Sequence, residues 1–261
     1  GTEKIDGVSA ITNENRKVMF INSQMPDDRI RFSMAHELGH IFIIKLLKYD
    51  IEEITIYPMG GVTKINKKIN TPLKHEFLIA IFGVIFQIIL MMFFDFLFVF
   101  NTITKSTYEM FNLYNKTIMI FNLIPMIPLD GYIIIRSLCE IFLSFKKAFY
   151  LSLLVSITFI MAFITYNTIY SLNNYLISSF LIYKAINVYR EFRFLQERFL
   201  LERYLDDFKF NKIKHENYPN LDLLKKDTYH YFKINGSIAS EKRLLTEKYE
   251  TEKKLYKLDV F

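Results

Sequence analysis

From Phe77 to Phe100 the chain runs for 24 residues with only Gln87 and Asp95 as strongly polar side chains. A helix of about 20 apolar residues crosses the hydrocarbon core of a bilayer, and its backbone groups must then be satisfied within the segment itself. The run predicts a transmembrane helix and restricts the rest of the fold to elements that a membrane tolerates. Further candidate spans are Tyr108–Leu123, Gly131–Phe145, Phe149–Tyr166 and Ser171–Val188, of which Gly131–Phe145 is short enough to merge with a neighbour. Positive charge sorts between them. Lys45, Lys48, Lys64, Lys67, Lys68 and Lys74 precede the first span, and Lys105 alone lies in 101–107. Lys146 and Lys147 follow the next pair, 166–171 has neither Lys nor Arg, and the tail beyond Lys184 is rich in both. Alternating rich and poor loops are what the positive-inside bias produces. They predict a multi-pass protein of the cell membrane with the loop before the first span, the 146–147 loop and the C-terminus in the cytoplasm. The net charge of +6 then belongs to cytoplasmic loops beside a lipid bilayer, and no nucleic acid partner is expected. A single cysteine, Cys139, excludes an internal disulfide framework and is expected to be a small buried side chain. Residues 1–31 hold no apolar stretch of the kind a secretory signal carries.

The second constraint is His36-Glu37-Leu38-Gly39-His40. Four residues is just over one helical turn, so both imidazoles project from one face. Two such rings can hold one Zn²⁺ at about 2.0–2.1 Å, with positions left for a third ligand and a water. Glu37 lies beside them, placed to take a proton from that water. The plainer reading is a helix with two surface histidines. Its helix is predicted to start at Pro26-Asp27-Asp28, with Asp27 as cap, and to run to about Leu47. The stretch Phe32–Leu47 falls short of the roughly 20 residues a span needs, which predicts a partly buried or re-entrant helix. Lys17–Asn22 is a predicted strand, and Ile51–Ile65, with Pro58 and Gly60-Gly61, is a predicted strand–turn–strand.

Phe121-Asn122-Leu123-Ile124-Pro125-Met126-Ile127-Pro128-Leu129-Asp130-Gly131 is the third informative stretch. Two prolines break the helix, and Gly131 permits an unusual backbone angle. An aspartate at membrane depth is costly unless paired, solvated or bound to metal. Asp130 could therefore complete a two-histidine, one-carboxylate site, or simply cap a helix in an ordinary loop. Val188–Phe208 is an amphipathic pattern that continues the last span, and 212–261 is lysine-rich with a modest mixed αβ pattern. The expected organisation is a polar segment at 1–31, a core at 32–190, and a cytoplasmic helix and tail at 191–261. Asp95 could line a water path or sit at the outer interface. His75, His215 and His230 are expected at the surface.

Taken together, H-E-L-G-H followed by N-x-x-P-x-x-P-L-D-G resembles the site-2 protease family of intramembrane zinc metalloproteases, most of all its sporulation-type branch. Pro58-Met59-Gly60-Gly61, Thr71-Pro72-Leu73-Lys74-His75-Glu76-Phe77 and Arg198-Phe199-Leu200-Leu201-Glu202-Arg203-Tyr204 support it, and the likeness covers roughly residues 36–210. The resemblance implies a mainly α, polytopic transmembrane bundle with a small β-hairpin near the active site. It implies Zn²⁺ held by His36, His40 and Asp130, Glu37 as general base, and Asn122 helping to hold substrate or position the site. It also implies an edge of the 51–65 strands that recruits an unwound substrate segment. The substrate class would be a membrane-anchored protein such as a pro-sigma factor, cleaved near the cytoplasmic face, with a membrane partner as regulator. The sequence leaves the particular substrate and the oligomeric state open.

Some positions depart from that pattern. Gly83-Val84 stands where the family has Gly-Pro, Gln87 is the polar residue four positions on, and Tyr132 replaces a second glycine. The first membrane helix that the family has before HELGH is not found within residues 1–35. Instead, Asn15–Asn22 through Arg31–Glu37 resembles ImmA/IrrE-type metallopeptidases, which implies a soluble or peripheral zinc endopeptidase with another acidic ligand; Glu52 and Glu53 are the near candidates. A catalytically inactive membrane scaffold is the third reading. Tyr229–Lys233 resembles the start of the sporulation branch's regulatory nucleotide-binding domain, over too short a stretch to imply nucleotide binding.

Overall fold

The computed structural model describes residues 7–11, 17–21, 27–57, 60–166, 172–234 and 236–258. The chain divides into two compact units, residues 1–67 with 75–134 and residues 68–74 with 135–261.

The first unit begins with an antiparallel pair, β1 (Gly7–Ile11) and β2 (Lys17–Ile21); β1 is an element the sequence patterns did not predict. Helix α1 spans Asp27–Leu46, within a residue of its predicted end. It stops without a glycine because Lys48 adopts φ 61°, which lets the Tyr49 amide close back on the Ile44 carbonyl at 3.1 Å. The chain then enters the hairpin β3 (Asp50–Tyr57) and β4 (Gly60–Asn66), paired from Asp50–Asn66 to Tyr57–Gly60 with an irregularity between Ile51 and Glu53. Pro58 and Met59 lie outside the described residues. β1 packs beside β3, and α1 packs against β4 and the later helix α3.

Helix α2 (Leu73–Val99) covers the long apolar run up to its penultimate residue and starts four residues before it. Helix α3 (Lys105–Leu123) begins at Thr104, whose hydroxyl accepts from the Thr107 amide at 3.2 Å. Phe94 of α2 stacks on Phe111 of α3 with centroids 3.5 Å apart. Among the described residues, the helices long and apolar enough to cross a membrane are α2 and α5 (Phe145–Tyr166). The predicted span at 108–123 does form a helix, but Lys105, Glu109 and Lys116, with Asn112, Asn115 and Asn122, dilute its apolar character. Helix α4 (Asp130–Phe142) is 13 residues long and does not merge with a neighbour. It breaks from α5 at Ser144, whose Oγ accepts from the Lys147 amide.

In the second unit, α6 (Leu172–Leu205) is one 34-residue helix that fuses the last predicted span with the amphipathic segment after it. The tail folds into a three-stranded sheet, with β5 (Lys212–Glu216) parallel to β6 (Thr228–Ile234) and β6 antiparallel to β7 (Ser237–Ser240), followed by α7 (Glu241–Leu258). His230, expected at the surface, is wholly buried, because it faces inward on the central strand with Thr228 and Phe232. Glu216 and Glu241 lie 4.0 and 3.5 Å from its ring nitrogens. His75 is half-buried, its Nδ1 2.7 Å from the Tyr49 hydroxyl, whereas His215 is exposed as expected. Cys139 is half-buried rather than buried.

A polar network ties this unit together. Arg203, 3% exposed, donates to the Glu241 carboxylate at 3.1 Å, to Asn70 Oδ1 at 2.8 Å and to the Thr228 carbonyl at 3.1 Å. Glu202 accepts from the amides of Ile69 and Asn70, both at 3.0 Å. Removing one partner of a buried pair strands the other charge and costs about 3–5 kcal/mol. Arg203→Met is therefore expected to lower the unfolding midpoint of this unit sharply in a denaturant titration, while Lys242→Met, whose Asp207 partner is exposed, leaves it nearly unchanged.

Candidate metal centre

The site forms where α1 meets α2, and glycine sets the distance. A Cβ on Gly39 would stand 2.7 Å from the Phe82 carbonyl oxygen and 3.1 Å from Gly83 Cα, so the two helices touch backbone to backbone. A Cβ on Gly83 would lie 2.6 Å from both His36 Cε1 and His40 Nε2. Gly131 is also required by space: its Cβ would fall 2.4 Å from the carbonyl oxygens of Leu123 and Ile124. This corrects the sequence expectation of an unusual backbone angle there, since Gly131 does not have a positive φ. The tight reversal between α3 and α4, closed by the Leu129 amide on the Met126 carbonyl at 2.7 Å, delivers Asp130 as the first residue of α4.

Three atoms converge. His36 Nε2 is 2.8 Å and His40 Nε2 3.1 Å from Asp130 Oδ2, and the two nitrogens are 3.1 Å from each other. The rings meet nearly edge to face, at 83°. Each outer nitrogen faces an acceptor: His36 Nδ1 is 3.0 Å from Gln87 Oε1, and His40 Nδ1 is 2.7 Å from the Ile79 carbonyl. With protons held at Nδ1, both Nε2 lone pairs and a carboxylate oxygen point at one another. Donor atoms of a tetrahedral zinc site, each about 2.0–2.1 Å from the ion, stand about 3.3 Å apart, close to the triangle seen here. The donor set thus fits a metal of this kind. With one carboxylate oxygen against both ring nitrogens, the cluster favours positive charge at this point.

Glu37 is buried on the same face of α1 and groups with both histidines, their donor atoms lying within 4.8 Å of one another. Thr63 of β4 donates its hydroxyl to Glu37 Oε2 at 2.6 Å. A cavity of about 180 Å³ opens onto this group, lined by Glu37, His40, Thr63, Pro128, Asp130 and the Lys67–Glu76 ion pair at 2.9 Å, among others. Asn122 is buried in the last turn of α3 and is not among the lining residues. Glu52, one of the two acidic alternatives near HELGH, pairs instead with Lys64 across the hairpin at 3.3 Å, and Glu53 is not among the residues lining the cavity. Sequence reasoning did not single out Thr63. The alternation Thr63-Ile65-Lys67, which faces the cavity from β4 and the residue just after it, was the available signal.

Two helical histidines with a glutamate between them, and a distant aspartate folded onto them, form the constellation of zinc metallopeptidases. Comparison with known proteins agrees with both resemblances. Residues 1–56 match the family described as the IrrE N-terminal-like domain. Stage IV sporulation protein FB of Bacillus subtilis (strain 168) is 31% identical over 174 residues, 66% of this chain and 60% of that protein. The Synechocystis sp. protein sll0528, named as a candidate zinc metalloprotease, is 30% identical over 110 residues, 40% of this chain and 28% of that protein. Among solved structures, the site-2 protease from Methanocaldococcus jannaschii matches 61% of this chain and 74% of its own, at 25% identity and a TM-score of 0.48. The chain is therefore similar in sequence to these two curated proteins over part of its length and, over residues 1–56, to the IrrE-type family. It spans 60% and 28% of the lengths of the two curated relatives.

Proposed function

We propose that this chain is an intramembrane zinc metalloendopeptidase that cleaves membrane-anchored proteins near the cytoplasmic face of the cell membrane. The observation that carries the reading is the convergence of His36, His40 and Asp130 beside Glu37, with Glu37, His40 and Asp130 at the wall of one cavity. The membrane setting is supported by α2 and α5 together with large apolar side chains left exposed along them, such as Phe93, Phe96, Leu154 and Phe159. A polytopic, multi-pass arrangement and a pro-sigma factor as substrate extend the resemblance to the sporulation-type branch.

In this reading His36, His40 and Asp130 hold Zn²⁺. Bound there, the ion would supply Lewis acidity and lower the pKa of a water toward ~7. Glu37 accepts the proton of the attacking water and passes it to the nitrogen of the departing amine. The Thr63 hydroxyl, donating to one carboxylate oxygen, leaves the other free to take that proton. The outer edge of β4 holds the substrate backbone, extended, beside the cavity, and Asn122, buried in α3 and off the cavity wall, positions the site instead. Water reaches the buried group through the cavity, since the bilayer core offers none.

Asp130→Ala tests the ligand set. Zinc in the detergent-purified protein is expected to fall from one ion per chain to a small fraction, with loss of cleavage of a membrane-anchored peptide. Full zinc and full turnover in that variant would remove Asp130 from the site. The match of residues 1–56 favours a second reading, an IrrE-type endopeptidase whose acidic ligand lies elsewhere. That reading expects Asp130→Ala to retain its zinc.

A further inference from the structure

We propose that Gln87 is a positioning residue that fixes the tautomer and ring orientation of His36; the role rests on the metallopeptidase reading above. Ile79, Gly83 and Gln87 recur every four residues and so form one stripe along α2. That stripe underlies both imidazoles. The Ile79 carbonyl takes the proton of His40 Nδ1, Gly83 leaves room for both rings, and Gln87 Oε1 takes the proton of His36 Nδ1. His40 is thus oriented by backbone, which no substitution removes, whereas His36 depends on one side chain.

Packing alone does not account for a glutamine at this position. Gln87 is wholly buried in the middle of the most apolar stretch of the chain, where leucine or methionine would fill the same space. Its Nε2 and the Oδ1 of Asn115 are buried without a hydrogen-bond partner among the described residues, an arrangement that works against stability. The same two residues do meet elsewhere: Asn115 Nδ2 donates to the Gln87 carbonyl at 3.0 Å, so α3 holds this turn of α2 in place. What the buried amide gains is the bond to His36. An imidazole with an acceptor at Nδ1 keeps its lone pair on Nε2 and becomes a stronger ligand, and losing such a partner typically lowers metal affinity about 10–100-fold.

The test is a zinc titration of the full chain in detergent against a chelator of known affinity, with Co²⁺ loading to report ligand geometry by visible absorption. Gln87→Leu is expected to weaken zinc about 10–100-fold and to shift the cobalt bands, with helical content by circular dichroism unchanged. Gln87→Glu, which keeps an acceptor, is expected to restore both. Gln87→Met gives the same reading as Gln87→Leu where the leucine variant fails to fold. Wild-type affinity and spectrum in Gln87→Leu or Gln87→Met would overturn the role, as would an equal loss in Gln87→Glu. Should the unaltered chain itself take up neither zinc nor cobalt, the metal centre fails, and this role with it.

Discussion

Glu37→Gln is expected to leave one zinc per chain and to slow cleavage of a membrane-anchored peptide by about 10²–10⁴-fold, the range that general acid–base catalysis contributes. The two side chains have the same shape, and a glutamine amide oxygen still accepts the Thr63 hydroxyl, so the wall of the cavity keeps its form. What disappears is proton affinity, because an amide does not take a proton from water near neutral pH. Metal analysis and turnover measured on one preparation separate the two properties. Turnover within tenfold of the parent would mean that Glu37 does not handle the proton. Loss of zinc would instead make it part of the ligand set, an alternative its grouping with both histidines makes worth measuring.

Gly83→Ala is expected to be as damaging by a different physical route. In an ordinary helix this exchange stabilises by up to ~1 kcal/mol, since glycine carries the larger backbone entropy. At this position the added methyl would stand 2.6 Å from His40 Nε2 and His36 Cε1, inside contact distance of both rings. The two helices are already in backbone contact, with Gly39 against the Phe82 carbonyl and Gly83 itself, so no gap between them receives the methyl. The rings must turn, and the Nε2 triangle opens. The expected result is a protein with unchanged helical content and zinc affinity lowered by at least about 100-fold, the upper end of the effect of disturbing ligand orientation. Zinc binding at the parent affinity would show that the helices separate more easily than their backbone contact suggests. The two variants thus divide the site: one removes proton transfer and keeps the metal, the other removes the metal and leaves Glu37 in place.

Much of the local structure was legible beforehand. Asp27 to about Leu47 was the expected extent of the HELGH helix, and α1 ends at Leu46. The glycine pair and flanking alternation predicted the β3–β4 hairpin, and the prolines at 125 and 128 predicted the break that separates α3 from α4. Expectations were less accurate where composition stood in for environment. Tyr108–Leu123 read as a span, and α3 forms a helix there, but its charged and amide side chains leave α2 and α5 as the described helices that length and composition alone mark as able to cross. His230 looked like a surface residue because its neighbours are polar, but the central strand of a sheet turns every second side chain inward whatever flanks it.

The sequence by itself determined the directions of side chains within each element: helical spacing put His36, Glu37 and His40 on one side of α1, and a tight proline-bounded turn placed Asp130 at the head of α4. Those are short-range consequences of backbone geometry. Tertiary structure alone decided that Asp130, 94 positions from His36, comes within 2.8 Å of it, that Thr63 reaches Glu37, and that Gln87 rather than water faces His36 Nδ1. These meetings depend on how closely α1 and α2 approach. That distance is set by two glycines, Gly39 and Gly83, which face each other across the contact between the helices.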